Sequence, residues 1–347
     1  MTYSEMSFVP WLTSKMGLRR LKGRDLQESL DVLRALQLSK ARVGHDISRI
    51  VDMSLSQQRI MLQDELLSQL ILMFAAQAEN RLDELQRRRN ELQSAASVDP
   101  NSFPVAASPA RHHNDTQILP ILRNRLGFAV RGGPSGLPGE SGNGAWLDGA
   151  ARKGSVVGVV PGIVYLPGTL VRSQGALEAL YPDDDFHLIS RYDGTLIDSR
   201  GATPSPLSAG AERARAASHQ RMRGLDPKRA PPSPFGVGHL CNHPPAAVPP
   251  NVMMISVDFP SGHFGSSAGS FPAELLELVP NLYDSAPSLL NGTYNPLVAM
   301  PSLALLATRD LKDEELFLDY RLSPNIERPP WYVPVDANEE IRRWTSA

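Results

Sequence analysis

Cysteine is nearly missing from this sequence: Cys241 stands alone among 347 residues. One thiol cannot close an internal disulfide, nor can it build a structural zinc cluster of cysteines within the chain. Aromatic residues are sparse at 6%. Long apolar runs are missing too, since no stretch approaches the roughly 18 consecutive apolar residues of a membrane-crossing helix. The first residues lack the apolar block and small-residue cleavage site of a secretory leader. No excess of one charge exists either, with 35 basic residues against 37 acidic ones and a formal net charge of -2. A strongly basic domain or stripe is the footprint of nucleic-acid binding, so no such general attraction is expected. These absences predict a soluble intracellular protein, nuclear or cytoplasmic, with no membrane or nucleic-acid partner.

What is present suffices for a core. Hydrophobic residues make up 41% of the chain, enough for one large domain or two smaller ones. Lys15, Arg19, Arg20, Lys22 and Arg24 form a run without an acid before Asp25. Such a run suits an organelle-targeting helix, although more often it is a solvated helix end.

Asp25 and Glu28 form a capping-box pair ahead of Leu26, Leu30, Leu33 and Leu36 at helical spacing. A helix is expected from about Leu26. Ser54 and Gln57 offer a second start, followed by an apolar stripe from Leu55 through Leu92 with no Pro or Gly until Pro100. That pattern predicts about forty residues of helix, continuous or as two in line. Its apolar face must pack on something, either the first helix or a partner in a coiled coil. Arg87-Arg88-Arg89 lies between Glu84 and Glu91, which reads as paired surface charge.

From residue 99 the composition turns to Pro, Ala, Ser and His, and 99–122 reads as a linker. His112-His113 lacks further ligands at metal spacing, and no metal site is expected. Beyond Leu122, short branched runs at residues 156–160, 162–165 and 303–307 predict strands. Residues 199–234 combine several arginines with Ala, Ser and Pro and few large apolar side chains, which predicts a flexible insertion.

Several chemistries can be set aside. The glycines from Gly132 to Gly144 miss the third position of a dinucleotide fingerprint, where Leu147 stands, and no Gly-Lys-Ser or Gly-Lys-Thr follows. Asp183-Asp184-Asp185 lacks the spaced ligands of a calcium loop.

Four segments remain, in a fixed order. They are Gly142-Asn143-Gly144-Ala145-Trp146 with the strands up to Tyr165, then Asp193 to Asp198, then Gly238-His239-Leu240-Cys241-Asn242-His243-Pro244 with Asn251, and last Ala307 to Tyr320, which includes Glu315-Leu316-Phe317-Leu318-Asp319-Tyr320. In this order they resemble a SET-domain methyltransferase over about residues 125–322. Phe8-Val9-Pro10-Trp11, Leu126-Gly127-Phe128, Phe271 to Leu275 and Leu278 to Asn281 are similar to words of one branch of that family.

The resemblance implies an α+β protein. Residues 1–98 would be an N-terminal helical region, 99–122 a linker, 123–322 a SET-type β-rich domain of the pseudoknotted β-clip kind, and 323–347 a C-terminal tail. It implies S-adenosyl-L-methionine as cofactor and transfer of its methyl group to a protein lysine, with the long helix available to a protein partner. The alternative is a SET-like binding or scaffold module without turnover. Tyr320 would be the catalytic residue. Gly142, Gly144, Trp146, Asn242 and His243 would bind the cofactor. Tyr165, Trp331 and Tyr332 would line the substrate channel, and no metal is implied. Asp198 reads as a structural turn partner and Cys241 as a small buried filler.

The sequence also departs from the family pattern. Val160 stands where a tyrosine usually precedes Pro-Gly, residues 244–250 are longer and richer in proline than the compact form, and no zinc-binding cysteines follow Tyr320. Trp331 and Tyr332 are the candidates to complete the channel in their place.

Overall fold

The computed structural model describes residues 23–43, 50, 52–95, 115–138, 142–167, 187–200, 233–261, 271–284, 287, 295, 297–325 and 327–344. Most of the basic run at 15–24, the pair His112-His113, the triad Asp183-Asp184-Asp185, Phe8 to Trp11 and nearly all of the 199–234 insertion lie outside them.

Helix α1 spans Gly23–Val43, three residues earlier than the capping-box pair suggests, so Asp25 lies within its first turn. At Ser54 the sequence signal is met by its geometry. The Ser54 N–H donates to Gln57 Oε1 at 2.9 Å and the Gln57 N–H donates to Ser54 Oγ at 3.3 Å, closing a reciprocal box that starts α2, Leu55–Ala95. α2 is one continuous helix of 41 residues. Leu62, Leu66, Leu70, Met73 and Phe74 on its inner face are buried by the chain itself.

α3, Asp115–Leu126, overlaps the stretch read as linker and contains Pro120. Proline opposes helix interiors because it removes one donor and crowds the preceding turn. Here Leu122 is fully buried in the common core, and that burial outweighs the local preference.

Three small sheets follow. β1 (Phe128–Pro134), β2 (Asn143–Ala151) and β10 (Leu311–Leu316) form an antiparallel sheet with β2 central. β3 (Val156–Val159), β9 (Val298–Ala307) and β7 (Val252–Pro260) form a second, with β9 central. β4 (Gly162–Tyr165), β5 (Leu188–Ser190), β6 (Leu196–Asp198) and β8 (Asn281–Tyr283) form the third, in the order β5-β6-β4-β8. The helix α4 (Ala273–Leu276) precedes β8, and α5 (Ala337–Trp344) lies in the segment read as a tail. Helices and sheets that are antiparallel except for the parallel β4/β8 pair make this an α+β protein.

The helices and sheets share one core. Leu36 of α1, Leu66 and Phe74 of α2 and Leu122 of α3 pack in the same cluster as Leu147, Val257 and Leu305 from the sheets. Phe74 is its hub, with ring centroids 6.1, 6.0 and 6.3 Å from Phe235, Phe259 and Phe271. Truncating such a ring to alanine costs about 3–5 kcal/mol. Gln69 of α2 adds a polar tie, accepting from the Val156 N–H at 2.8 Å and donating to Gly154 O at 3.2 Å, so the start of β3 is pinned to the helix.

Candidate functional site

The site is built where β10 ends. Beyond Leu316 the chain leaves its sheet and is laid between two other segments as a parallel partner of each. The Leu318 N–H donates to Asn242 O at 2.9 Å, while the N–H groups of Asn251 and Val252 reach Phe317 O at 3.1 and 3.2 Å. Asn251 completes the clamp with its side chain: Oδ1 accepts from the Phe317 N–H at 2.7 Å and Nδ2 donates to Glu315 O at 2.7 Å. Asn251 is buried, so each of these groups would be left without water if its partner were lost.

Two residues on, the Tyr320 N–H donates to Nδ1 of His243 at 3.3 Å. The other ring nitrogen of His243 lies 2.8 Å from Val333 O. Because Nδ1 accepts, Nε2 carries the proton and donates, which fixes one neutral tautomer. His243 is buried among aromatic rings, with centroids 4.4 Å from Tyr332, 5.6 Å from Tyr320 and 6.4 Å from Trp331. Trp331 meets Tyr320 edge-on at 6.1 Å and is itself 54% exposed. Burial, with a smaller contribution from Cys241, pushes the Tyr320 hydroxyl up to about 12. At neutral pH it is a neutral group.

The chain after Tyr320 is held from both ends of the sequence. Arg321 has φ +51, a left-handed conformation that costs a non-glycine residue about 1–3 kcal/mol and persists where its surroundings over-determine it. Its guanidinium contacts Asp31 of α1 at 3.2 Å and Glu339 of α5 at 3.1 Å. Arg343 of α5 reaches the same Asp31 at 3.0 Å, and Tyr192 donates its hydroxyl hydrogen to that carboxylate. Burial alone would raise the Asp31 carboxyl, but the charges of Arg321 and Arg343 outweigh it and hold the group below its ordinary value. Tyr332 also ties the C-terminal segment down, its hydroxyl accepting from the Leu322 N–H at 3.0 Å and donating to Glu340.

The glycine turn flanks this assembly. Gly142 has φ +64, and its carbonyl accepts from the Ser135 N–H at 3.0 Å. Gly144 has a different requirement: a Cβ there would run into the Glu315 carboxylate. Glu315 is buried and accepts from Ser135 Oγ at 2.7 Å, the Gly136 N–H at 2.8 Å and Asn242 Nδ2 at 3.3 Å. Asn242 Nδ2 also donates to Asn143 O at 3.2 Å. Trp146 sits opposite Glu315 in the β2/β10 register, with Nε1 donating to Pro134 O at 3.0 Å and the Arg131 guanidinium 5.7 Å from its ring centroid.

Gly142, Gly144, Trp146, Asn242, His243, Tyr320, Trp331 and Tyr332 therefore belong to one connected region. Tyr165 does not join it; it is buried on β4 in a separate small cluster with Leu196. The two ring nitrogens of His243 are both occupied within the protein, so towards a ligand that residue has its main chain to offer. Cys241 is buried, its thiol pushed up by burial and by Glu315, as befits a filler. Glu315 and Asp31 are central here and were not among the expected site residues. For Glu315 the signal was an acid placed directly before the apolar pair Leu316-Phe317; for Asp31, on the buried face of α1, there was none.

Tyr320 opens onto a cleft of about 1700 Å³ that runs from α1 past the proline-rich stretch at 244–250 to α5. Among the described residues no group of three or more His, Cys, Asp or Glu side chains is placed to hold a metal ion, and no helix is long and apolar enough to cross a membrane. No protein-family model matches the sequence, and no curated protein matches it.

Proposed function

We propose that this protein is an S-adenosylmethionine-dependent protein-lysine N-methyltransferase with a SET-type pseudoknotted catalytic domain. One observation carries the reading: the segment Glu315 to Tyr320 lies between Asn242 and Val252, with the Gly142 to Gly144 turn beside it. That arrangement unites, from distant parts of the chain, three of the four segments whose order carries the family resemblance.

The residues present suit the cofactor. Asn242 uses Nδ2 twice within the protein, while its Oδ1 has no partner among the described residues. An amide acceptor backed by the Glu315 carboxylate fits an ammonium group, and the exposed face of Trp331 fits a flat base. When bound, S-adenosylmethionine supplies a methyl group on a positively charged sulfur, so transfer needs neither a metal nor a covalent enzyme intermediate.

The chain has to bind, orient and exclude water. A lysine amine must approach in line, and holding both reactants in that geometry is worth several kcal/mol, up to about 7–11 for ideal alignment. The Tyr320 hydroxyl, kept neutral by burial, orients the amine by hydrogen bonding and does not act as a base near pH 7. Desolvation of a lysine entering beside Tyr320 lowers its pKa and supplies the neutral nucleophile. His243 positions Tyr320 through the main-chain bond at 3.3 Å.

The test has two parts. Calorimetric titration with S-adenosylmethionine measures binding, and labelled-methyl transfer to lysate proteins compares wild type with Tyr320→Phe. Binding by both proteins, with transfer reduced about 100-fold or more in the variant, is expected. Absence of cofactor binding overturns the proposal. Binding without transfer by wild type favours a SET-like scaffold, the reading motivated by Val160 before Pro161 and by the separate position of Tyr165.

A further inference from the structure

Helix α5 buries acids and exposes apolar residues, the reverse of an ordinary surface helix. Its buried side chains are two carboxylates, Glu339 and Glu340, whereas its large apolar residues Ile341 and Trp344 are 56% and 43% exposed. No apolar side chain of α5 is buried. Yet the helix packs on α1 and borders the cleft beside Tyr320 through Glu339, Arg342, Arg343 and Trp344.

What holds α5 is charge. Arg343 reaches Asp31 of α1 at 3.0 Å, Glu339 reaches Arg321 at 3.1 Å, and Glu340 meets Arg328 at 2.5 Å and the Tyr332 hydroxyl. Trp344 adds a hydrogen bond, Nε1 donating to Arg321 O at 2.9 Å. Ion pairs taken out of water gain little net stability, because desolvation offsets their attraction. This set is also incomplete, since Nε of Arg321 and Nε of Arg343 are buried without a hydrogen bond. α2 is the contrast, with Leu66, Leu70 and Phe74 fully buried. An element short of buried apolar contacts opens locally before the core does.

Opening of α5 reaches the turn behind Tyr320. Arg321, strained at φ +51, is pinned there by Glu339 and Trp344, and the neighbouring Leu322 N–H donates to the Tyr332 hydroxyl, which in turn donates to Glu340. Glu339, Glu340 and Trp344 all belong to α5, so their departure removes the contacts that over-determine the turn. We propose that α5 is a releasable latch: it detaches from α1 as a unit while the core stays folded, and its detachment loosens the Arg321 turn and widens the cleft in front of Tyr320. The hinge lies between Val333, held by His243, and Asp336, whose carboxylate caps α5 by accepting from the Glu339 N–H at 2.9 Å. The latch is a property of the fold; only its use, admitting a protein segment to Tyr320, rests on the methyltransferase reading.

Hydrogen–deuterium exchange of the full chain, read by mass spectrometry, tests this. The amides of α5 and of residues 321–323 should exchange in step, at least about tenfold faster than the buried turns of α2. Raising salt from about 0.05 M to about 0.5 M should speed both about threefold, because it favours the separated, solvated charges. Arg343→Gln should speed both about tenfold and leave α2 unchanged, which also verifies that the variant is folded. Glu340→Gln removes charge at nearly constant size and gives the same comparison if Arg343→Gln speeds α2 as well. Ile341→Ala, which trims an exposed side chain, should alter neither segment by more than about twofold. Exchange of α5 only together with α2, exchange of α5 without residues 321–323, or indifference to salt and to both charge variants would each overturn the latch. None of these measurements involves S-adenosylmethionine, so their failure leaves the methyltransferase proposal standing, and absence of cofactor binding leaves the latch standing.

Discussion

A single imidazole, that of His243, joins Tyr320 to Val333, accepting from the Tyr320 N–H at 3.3 Å and donating to the Val333 carbonyl at 2.8 Å. The ring fixes both the strand exit that presents the candidate catalytic hydroxyl and the segment carrying Trp331 and Tyr332. His243→Leu keeps much of the apolar volume and removes both bonds. Unfolding in urea should show a loss of about 2–4 kcal/mol, from two stranded main-chain groups and lost ring packing. An unchanged unfolding midpoint would mean that these bonds are not formed in solution.

Gly142 and Gly144 should respond differently to alanine. At Gly142 the surrounding space is open and the strain comes from φ +64, so Gly142→Ala should cost about 1–2 kcal/mol. Gly144→Ala drives a methyl group into the Glu315 carboxylate and should cost about 2–4 kcal/mol. In a double-mutant cycle with Glu315→Ala, the Gly144 penalty should shrink by at least about 1 kcal/mol, while the Gly142 penalty should not change. Additive behaviour at both positions would contradict the packing described.

Two buried groups predict an acid limb. The Asp31 carboxyl is held below its ordinary value in the folded state, so the unfolded chain binds the proton more readily there. Its contribution is complete above the unfolded value of 3.8 and is lost as pH falls towards the folded value. Burial, and then the neighbouring His187, lower His239 from 6.5 to about 4. Between those limits the unfolded chain again carries the extra proton, so stability falls as pH drops from about 6.5 to 4. Chemical denaturation across pH should show that His239→Leu flattens the upper window. Asp31→Asn should flatten the lower one and cost about 3 kcal/mol at neutral pH, because it uncovers buried arginine charge.

Trp331 and Tyr332 are neighbours with separable roles. Trp331→Ala should change stability by less than about 1 kcal/mol, since the ring is half exposed, yet weaken S-adenosylmethionine binding in calorimetry. Tyr332→Phe should lower stability by about 1–3 kcal/mol through loss of its hydroxyl bonds to Leu322 and Glu340, with cofactor affinity little changed. Reversed effects would exchange the two assignments.

Local signals made much of the fold legible. Ser54 and Gln57 announce α2 because the cap is made by residues three apart in sequence, and the branched runs at Val156 and Gly162 announce strands because pleated backbone suits them. α3 was hidden because Pro120 argues against a helix that the burial of Leu122 sustains, and tertiary burial is not written in a local window. α5 had a readable start in Asp336 and Glu339, a capping pair within a segment too short for periodicity to stand out. At the site, Gly144 and Asn242 meet at Glu315, and the Leu318 N–H bond to Asn242 O holds the segment that carries Tyr320 beside them. Tyr165 stands apart from them, its neighbour Leu196 being chosen by strand pairing, and Asp31 was passed over because its charged partners Arg321 and Arg343 are about 300 residues away in sequence.

That last contact sets a condition on biosynthesis. Asp31 is 290 residues from Arg321 and 312 from Arg343. A nascent chain still tethered to the ribosome can form α1, α2 and the first strands, but it cannot neutralise Asp31 or lock the strained turn behind Tyr320 until α5 has emerged. Assembly of the candidate site is thus a late event governed by long-range closure, and a chain lacking α5 would lack the contacts that hold the turn behind Tyr320.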